Sequence, residues 1–420
     1  MIKKIAQLLA LSLLQFGFIQ WVTAQDMEIA APDSLGFNAV ALDRATESLQ
    51  QHIANGDIAG VVAAVARDGK LVYFKALGQM NLEQSKPMQS DALFRLYSMS
   101  RQITSAAVLQ LYEQGKFQFD DPIKMYLPEF EAQRVLLDSS STDLSQTKPR
   151  TADITVAHLL THTSGLGSRS SALYRENNVR DKNISLDRMV GNAARVPLFQ
   201  DPGTEFRYGI HATILGKLVE IWSGEPFEEY LQKNLFEPLA MNDTMFWAEG
   251  SDAERIAELY RPADGQLKPY QIESVAWTAR PKLIEGGVGL LSSVMDYMHF
   301  VQMVLNGGTF NGKQLLQPET AKLMYENAVP VQAMPIGTRG YWLGSGWTLG
   351  GFNLVMDPAA YDFPVSAGTI WWDGSAGTRF FVDPVQATTI VIMAQVSPSS
   401  GGGFREEFSH LIDAALVDRR

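Results

Sequence analysis

The sequence predicts an α+β fold, an α/β sandwich in which helices flank one antiparallel sheet built from segments near both ends of the chain. Two β-rich runs, residues 60–66 and 71–74, flank Arg67-Asp68-Gly69-Lys70, and Asp-Gly between such runs is typical of a hairpin. A second hairpin is predicted from residues 378–382 and 388–393, which flank the turn signal Asp383-Pro384. The pattern between the hairpins is mainly helical, so we expect a large helical region, about residues 98–290, inserted in the sheet.

The first 24 residues have the composition of an export signal. Lys3 and Lys4 precede an apolar run that reaches Trp21, and Val22-Thr23-Ala24 supplies the small residues that a signal peptidase requires. We expect cleavage after Ala24, which leaves residues 25–420 as one exported domain, periplasmic or secreted. A membrane-anchoring helix is the alternative, but the apolar run is short and no later run is long enough to span a bilayer.

Composition narrows the classes of function. The formal net charge of −11 argues against a nucleic-acid partner. The chain has no cysteine, which excludes disulfides, a thiolate nucleophile and Cys-ligated zinc. We expect neither a metal nor a cofactor, and the composition indicates no particular oligomeric state.

Helices are predicted where apolar periodicity ends at a glycine or another terminating residue. The predicted helices are residues 37–54, a helix that begins near Ser98 and ends at Gly115, and residues 155–160, 213–223, 226–235, 294–305 and 405–417. The segment from about 131 to 150 contains Ser139-Ser140-Ser141-Thr142 and is predicted to be an exposed excursion.

The stretch from Phe94 to Ser105 is the first candidate for chemistry. A short apolar approach leads into Ser98, and an amphipathic helix follows it. Ser98 is therefore expected at a helix N-terminus, where free N–H groups favour a developing negative charge. Arg101 lies three residues later on the same helix face, so a hydroxyl and a cation would meet at one point. The structural alternative is an N-cap serine followed by a solvated arginine.

Other motifs were weighed and give no site. Gly-x-Ser-x-Gly, a P-loop and a dinucleotide-binding glycine motif are absent. His158 and His162 are four residues apart, but Leu159 stands where a zinc protease needs its glutamate. We interpret both histidines as structural.

A series of motifs, taken in order, indicates a family. The chain resembles the serine β-lactamase and penicillin-binding-protein superfamily, particularly the branch of class C β-lactamases and related carboxylesterases. The motifs that carry the resemblance are residues 94–104, Asp120-Asp121-Pro122, Tyr126-Leu127-Pro128, residues 158–165, Phe206-Arg207-Tyr208, residues 236–239, 286–291 and 372–383.

The resemblance implies roles for individual residues. Ser98 matches the nucleophile of the Ser-x-x-Lys motif, and Arg101 stands in the position of its lysine. Tyr208 matches the tyrosine that exchanges protons with the nucleophile or leaving group, and Ile210 replaces the asparagine that follows it. Because arginine stays protonated, Arg101 is expected to stabilise a Tyr208 phenolate rather than to act as a base.

The third implied element is Trp372-Asp373-Gly374, which lies where lactamases carry Lys-Thr-Gly and many esterases carry Trp-x-Gly. With Ile210, it is expected to contact substrate. By the same resemblance, the backbone N–H groups of Ser98 and Ser375 would form the oxyanion hole.

Two hypotheses of function follow from these residues. The first is an exported serine hydrolase that cleaves ester or amide bonds of a small molecule or peptide-like substrate through a Ser98 acyl-enzyme, with esters preferred. The second is a catalytically impaired family member that binds a peptide-like or cell-wall ligand without turnover. A scaffolding protein is a third, weaker alternative. The hydrolase requires the three segments around residues 98, 208 and 372 to converge and line one pocket.

Overall fold

A computed structural model describes residues 27–273 and 275–420, so the predicted signal segment lies outside the described residues. The α-helices are α1 (Ala39–Ala54), α2 (Ser100–Glu113), α3 (Val156–Leu160), α4 (Ala172–Glu176), α5 (Leu186–Arg195), α6 (His211–Ser223), α7 (Phe227–Leu231), α8 (Glu237–Leu239), α9 (Val294–Leu305), α10 (Pro318–Lys322) and α11 (Phe404–Ala415).

Strands form one large sheet and several short pairs. They are β1 (Gly60–Arg67), β2 (Lys70–Asn81), β3 (Lys86–Pro87), β4 (Phe94–Arg95), β5 (Arg134–Leu136), β6 (Thr147–Pro149), β7 (Tyr260–Ala263), β8 (Gln266–Pro269), β9 (Leu291–Ser292), β10 (Thr309–Phe310), β11 (Lys313–Gln314), β12 (Ser345–Trp347), β13 (Asn353–Val355), β14 (Ile370–Asp373), β15 (Thr378–Asp383) and β16 (Thr388–Ala394).

The large sheet joins the two ends of the chain. Within the described residues it has eight strands in the order β12-β13-β14-β15-β16-β1-β2-β3, and each neighbouring pair is antiparallel. Strand β16 pairs with β1, so that Val61 lies opposite Ala394 and Arg67 opposite Thr388. Both predicted hairpins are present, and the predicted α+β fold is confirmed.

The central strand β1 is buried on both faces. Val61, Ala63 and Val65 contribute to a core shared with α1 and α11. Val62 and Ala64 point the other way, into the larger core that contains α2 and α9. Successive side chains of a strand alternate between faces, so a continuous apolar run is what a strand covered on both sides requires.

Helix α2 is the element that holds the candidate nucleophile in place. Its residues from Ser100 to Leu111 are all buried, because the helix lies between the sheet and the inserted helical region. Two of its polar side chains find partners there: the Gln102 amide nitrogen donates to the Gly351 carbonyl at 2.6 Å, and the Thr104 hydroxyl donates to the Gly286 carbonyl at 2.7 Å. Such pairing is required when polar groups are removed from water.

Most predicted helices are present with shifted ends, and two regions differ. The predicted helix 226–235 ends at Leu231 and continues as a wider turn, Gln232–Phe236, ahead of Pro238. The predicted excursion contains the hairpin β5–β6, whose Val135 and Leu136 are buried. Helix α5 was not predicted. Among the described residues, no helix combines the length and apolar character that crossing a bilayer demands.

Candidate active site

Ser98 lies in a strained turn at the start of α2. The turn, Tyr97–Met99, is a single 3₁₀ turn that runs directly into Ser100. Tyr97 has a φ of +46°, a left-handed conformation that costs a residue other than glycine about 1–3 kcal/mol. The Tyr97 ring is buried and packs edge-on against Trp277, with ring centroids 5.9 Å apart. This packing fixes a backbone geometry that leaves Ser98 half-buried at the helix N-terminus.

Gly374 brings the sheet against the Ser98 turn. A Cβ at this position would lie 2.3 Å from the Leu96 carbonyl oxygen and 2.3 Å from the Thr378 hydroxyl oxygen, so only glycine fits. This close approach places Ser375 on the wall of the cavity that Ser98 lines. Within the described part of the chain, neither the Ser98 N–H nor the Ser375 N–H donates a backbone hydrogen bond, and their expected role in an oxyanion hole stays a prediction.

Tyr208 reaches the same cavity from the loop before α6. The Arg207 N–H donates to the His162 carbonyl at 2.8 Å and anchors this loop. The Trp372 indole Nε1–H donates to the Tyr208 hydroxyl oxygen at 2.9 Å. The predicted convergence of the segments around residues 98, 208 and 372 is therefore present in the structure.

The Arg101 guanidinium lies against the face of the Tyr208 ring. Its Cζ is 4.3 Å from the ring centroid, and its Nη1 donates to the Gly209 carbonyl at 2.8 Å. Arg101 is buried, and no carboxylate among the described residues comes within ion-pair distance of it. Burial lowers the pKa of Arg101, while Tyr208 opposes that shift. An arginine nevertheless stays charged at working pH, so a cation sits permanently beside the phenol.

Two buried histidines support Tyr208 and Arg101, and sequence reasoning missed their role. The Nδ1 atoms of His162 and His211 are 2.7 Å apart, and the His162 ring centroid lies 4.7 Å from that of Tyr208. Burial and the Arg101 charge lower the pKa of His211 to about 3. Burial and His211 likewise lower the pKa of His162. Both rings are therefore neutral, one Nδ1 donating to the other.

His158 and His162, both interpreted from the sequence as structural, lie in different environments. The backbone N–H of Thr155 donates to His158 Nδ1 at 3.2 Å, so His158 completes a capping box for its own helix. His162 instead lies in the wall behind Tyr208. A signal was present in the sequence, because His211 follows Tyr208 by three residues.

Five charged side chains form an ionic cluster at the opposite side of the cavity. The Arg180 guanidinium donates two hydrogen bonds to each of Glu273 and Glu285, at 2.6–3.0 Å. Lys182 contacts the same two carboxylates, and Arg169 contacts Glu273 at 3.0 Å. Burial raises the pKa of Glu273, but Arg180 and Lys182 outweigh it and bring that pKa to about 2. Both glutamates are therefore ionised.

The cavity itself is small, about 150 Å³. Its walls combine hydroxyls, charged groups and a few apolar side chains: Ser98, Arg101, Ser168, Arg169, Tyr208, Gly209, Ile210, Thr213, Glu285, Gly287, Val288 and Ser375. Ser98, Arg101, Tyr208, Ile210 and Ser375 thus share one cavity, as the sequence predicts.

The Trp372-Asp373-Gly374 segment borders this cavity in a different way. Trp372 contacts Tyr208, which lines the cavity, and Gly374 packs against Leu96 in the segment that leads to Ser98. The Asp373 Oδ2 lies 3.3 Å from both Arg379 Nη2 and Arg405 Nη1. Its carboxylate is therefore held by two buried arginines, while its expected contact with substrate stays a prediction.

Comparison with known proteins identifies the family. The beta-lactamase family model matches residues 44–413. The chain belongs to the beta-lactamase family. Among curated relatives of this beta-lactamase-family chain, "Esterase EstB" from Burkholderia gladioli is 28% identical over 399 residues, covering 87% of this chain and 93% of that protein.

Other relatives carry acyl-transfer names. "Monacolin J acid methylbutanoyltransferase" from Aspergillus terreus is 31% identical over 313 residues, covering 71% of this chain and 72% of that protein. The solved structure "EstCE1, a hydrolase with promiscuous acyltransferase activity" matches with a TM-score of 0.75 at 26% identity, covering 90% of this chain and 98% of that one. The beta-lactamase-family fold of this chain is thus shared with esterases and acyltransferases.

Proposed function

We propose that this chain is a serine hydrolase that cleaves carboxylic esters through an acyl-enzyme on Ser98. The carrying observation is the arrangement around Tyr208, whose phenol oxygen accepts the Trp372 indole N–H while the Arg101 cation lies on its ring. These contacts place a hydrogen-bond donor and a cation against the Tyr208 side chain, in the cavity that Ser98 lines. The esterase and acyltransferase names of the relatives support the same chemistry.

In the proposed reaction, Ser98 Oγ attacks the ester carbonyl carbon and its proton passes to the Tyr208 phenolate. The oxyanion is received by the N–H groups of Ser98 and Ser375, each worth about 10²–10³ in rate in comparable sites. The C–O bond to the alcohol breaks, and the alkoxide takes the proton from Tyr208. Water then attacks the acyl-enzyme by the reverse proton route, which releases the carboxylic acid and restores Ser98.

Arg101, which replaces a lysine, changes which side chain can act as the base in the proposed reaction. Lysine can give up its proton when desolvated, whereas arginine cannot. The base is therefore Tyr208, and Arg101 acts by holding its anionic form. Esters are favoured over amides because an alkoxide leaves with less help from an acid than an amine does. An alcohol can replace water as the acceptor, in line with the acyltransferase names of some relatives.

Export is part of the proposal. It rests on residues 1–24, where two lysines, an apolar run and Val22-Thr23-Ala24 follow the order of a signal peptide. Cell fractionation of the full chain, with N-terminal sequencing of the product, should find a mature protein that begins after Ala24. A protein with an intact N-terminus in the cytoplasmic fraction would contradict export without touching the chemistry.

The test of catalysis is hydrolysis of 4-nitrophenyl butyrate together with labelling by a fluorophosphonate. We expect turnover and one adduct on Ser98, both lost in Ser98→Ala. Ser375→Ala is the matched control, because it removes a hydroxyl from the same cavity but keeps the backbone N–H. Absence of both turnover and adduct in a folded protein would refute the hydrolase.

The second candidate function, ligand binding without turnover, is favoured by one observation, the permanent charge of Arg101. Arg101→Lys separates the two. A lysine can act as the base and should raise the rate toward alkaline pH if the remaining site is competent. A wild type without turnover, whose affinity for a peptide-like ligand is the same in Ser98→Ala, would instead support the binding protein.

A further inference from the structure

The cavity beside Ser98 carries an excess of positive charge. Among the described residues that line or border it, Arg101, Arg169, Arg180 and Lys182 face Glu273 and Glu285, so four cations meet two carboxylates. The neighbouring His162 and His211 are neutral. This excess stands out in a chain whose net charge is −11, and a buried excess of charge favours a ligand of the opposite sign.

Arg169 is the cation best placed to meet such a ligand. It lines the cavity, and 24% of its side chain is exposed. Its guanidinium lies 5.8 Å from the ring centroid of Tyr97, the residue before Ser98. Its Nη1 is 3.0 Å from Glu273 Oε1 but completes no hydrogen bond within the described structure. Glu273 is already bound by Arg180 and Lys182, so Arg169 keeps donor capacity for a ligand.

A second unused donor points the same way. Arg101 Nε is buried and makes no hydrogen bond among the described residues. Buried donors without partners are rare in native proteins, because each forfeits the hydrogen bonds it had with water. The hydroxyls of Ser98, Ser168 and Thr213 add further donors to the same walls.

The size of the cavity limits what can enter it. At about 150 Å³ it is comparable to a protein cavity that holds a molecule the size of benzene, which suits a short acyl chain. Gly209, Ile210 and Val288 are buried and form part of its walls. Ser98, to which the acyl group would be attached, lines the same cavity.

We propose that the preferred substrates are esters whose short acyl chain ends in a carboxylate, which Arg169 binds while Ser98 attacks the carbonyl. This rests on the proposed function. Arg169 is then a specificity-determining residue rather than part of the proton transfer. The carboxylate would receive charge-assisted hydrogen bonds, for which a planar guanidinium is well suited.

The experiment compares two esters whose distal carboxyl is either free or methylated, 4-nitrophenyl hydrogen succinate and 4-nitrophenyl methyl succinate. We expect kcat/KM to be about tenfold to hundredfold higher for the acid, the range of one hydrogen bond to a charged group. Arg169→Gln should abolish that preference, and Arg169→Lys should retain part of it. Arg195→Gln, which removes an exposed charge at the end of α5, is the matched control and should leave the preference unchanged.

Several outcomes would overturn the inference. Equal or lower kcat/KM for the acid in the wild type does so even if Arg169→Gln fails to fold. A preference confined to a charged leaving group, seen with 3-carboxyphenyl acetate against its methyl ester, excludes the acyl side. If neither succinate ester is cleaved and Ser98 forms no fluorophosphonate adduct, the proposed function itself fails. Calorimetry with monomethyl and dimethyl succinate then decides whether the cavity binds the anion, and equal affinity for the two excludes it.

Discussion

Two groups of buried arginines show opposite ways of placing a cation inside this protein. Arg379 and Arg405 are 0% and 1% exposed, and both contact the Asp373 carboxylate. Arg379 also pairs with Glu406 at 2.8 Å, so two cations meet two anions. Arg101, 6% exposed, donates to the Gly209 carbonyl and lies against the Tyr208 ring, and no carboxylate among the described residues forms an ion pair with it. The first group is neutral as a unit, and the second is not.

The difference in charge balance indicates a structural role for Arg379 and Arg405 and a role in the proposed chemistry for Arg101. The ion pairs of Asp373 with Arg379 and Arg405 hold the end of β14 against α11. The positive charges in this cluster are neutralised by its carboxylates. An arginine without a carboxylate projects its charge onto the nearest polarisable group, which here is the Tyr208 phenol. Asp296 is a third kind of buried ionisable group. It lies beside Asp243 and can avoid carrying a buried charge by keeping its proton. Arg101 cannot become neutral in this way.

The largest expected effect is on the Arg101 side of this comparison. Tyr208→Phe removes the proposed proton acceptor and should lower kcat for 4-nitrophenyl butyrate by about 10²–10⁴-fold. The melting temperature should stay nearly unchanged, because the ring contacts with Trp372 and Arg101 are kept. Steady-state kinetics and thermal unfolding of the same preparation measure both. A wild-type rate in Tyr208→Phe would remove the phenolate from the mechanism.

The neutral cluster should respond in the reverse manner. Asp373→Asn leaves Arg379 and Arg405 short of one anion and should reduce the free energy of unfolding by about 3–5 kcal/mol. Arg101→Met removes a cation that has no carboxylate and should leave the free energy of unfolding unchanged or raise it, while activity falls. Urea unfolding of both variants tests the contrast. Equal destabilisation by the two would show that the comparison is mistaken.

The titratable case gives a pH dependence. Burial, reinforced by Asp243, raises the pKa of Asp296 to about 7 from an ordinary value of 3.8. The folded protein then holds a proton that the unfolded chain releases, so stability is present at low pH and is lost as pH rises. Between about pH 4 and 7 the free energy of unfolding should fall by about 1.4 kcal/mol per pH unit through this group.

Asp296→Asn provides the comparison for that slope. One oxygen of Asp296 accepts both the Asp243 N–H and the Thr244 hydroxyl, and the Asn carbonyl can replace it. Urea unfolding across this pH range should show a slope that is shallower in the variant. Parallel curves for the variant and the wild type would rule out Asp296 as the source.

The smallest expected effect concerns a single hydrogen bond. Trp372→Phe removes the indole donor to Tyr208 and retains most of the aromatic packing. Loss of one such bond is worth about 1 kcal/mol, or roughly fivefold in kcat. The loss should be greater below the pH optimum, where the phenolate is harder to form, and a pH–rate profile would show this. An unchanged profile would assign Trp372 to packing alone.

Local signals in the sequence were enough for much of the fold. The Asp68-Gly69 turn between β1 and β2 and the apolar run of β1 each depend on neighbouring residues, and helix α9 spans the residues that its periodicity predicts. Helix α5 was missed although its apolar residues are periodic, because its segment is otherwise polar.

The site was predictable only in part. The ordered motifs placed Ser98, Arg101 and Tyr208 together, but they could not show that the Arg101 guanidinium lies against the face of the Tyr208 ring. The ionic cluster depends on partners far apart in sequence, since Arg180 and Glu285 are 105 residues apart. No local sequence pattern predicts such a pair. The proposed role of Arg169 in specificity likewise depends on partners that only the folded structure brings together.

The pairing of β1 with β16 has a consequence for biosynthesis. Strand β1 can pair with β2 as soon as the first hairpin is made, but its other neighbour, β16, is made only with residues 388–394. Gly374, which packs against the loop that leads to Ser98, is also synthesised long after Ser98. A nascent chain therefore carries Ser98 without the Gly374 segment beside it until that segment has also been made, so the proposed hydrolytic site can form only after both segments have been synthesised.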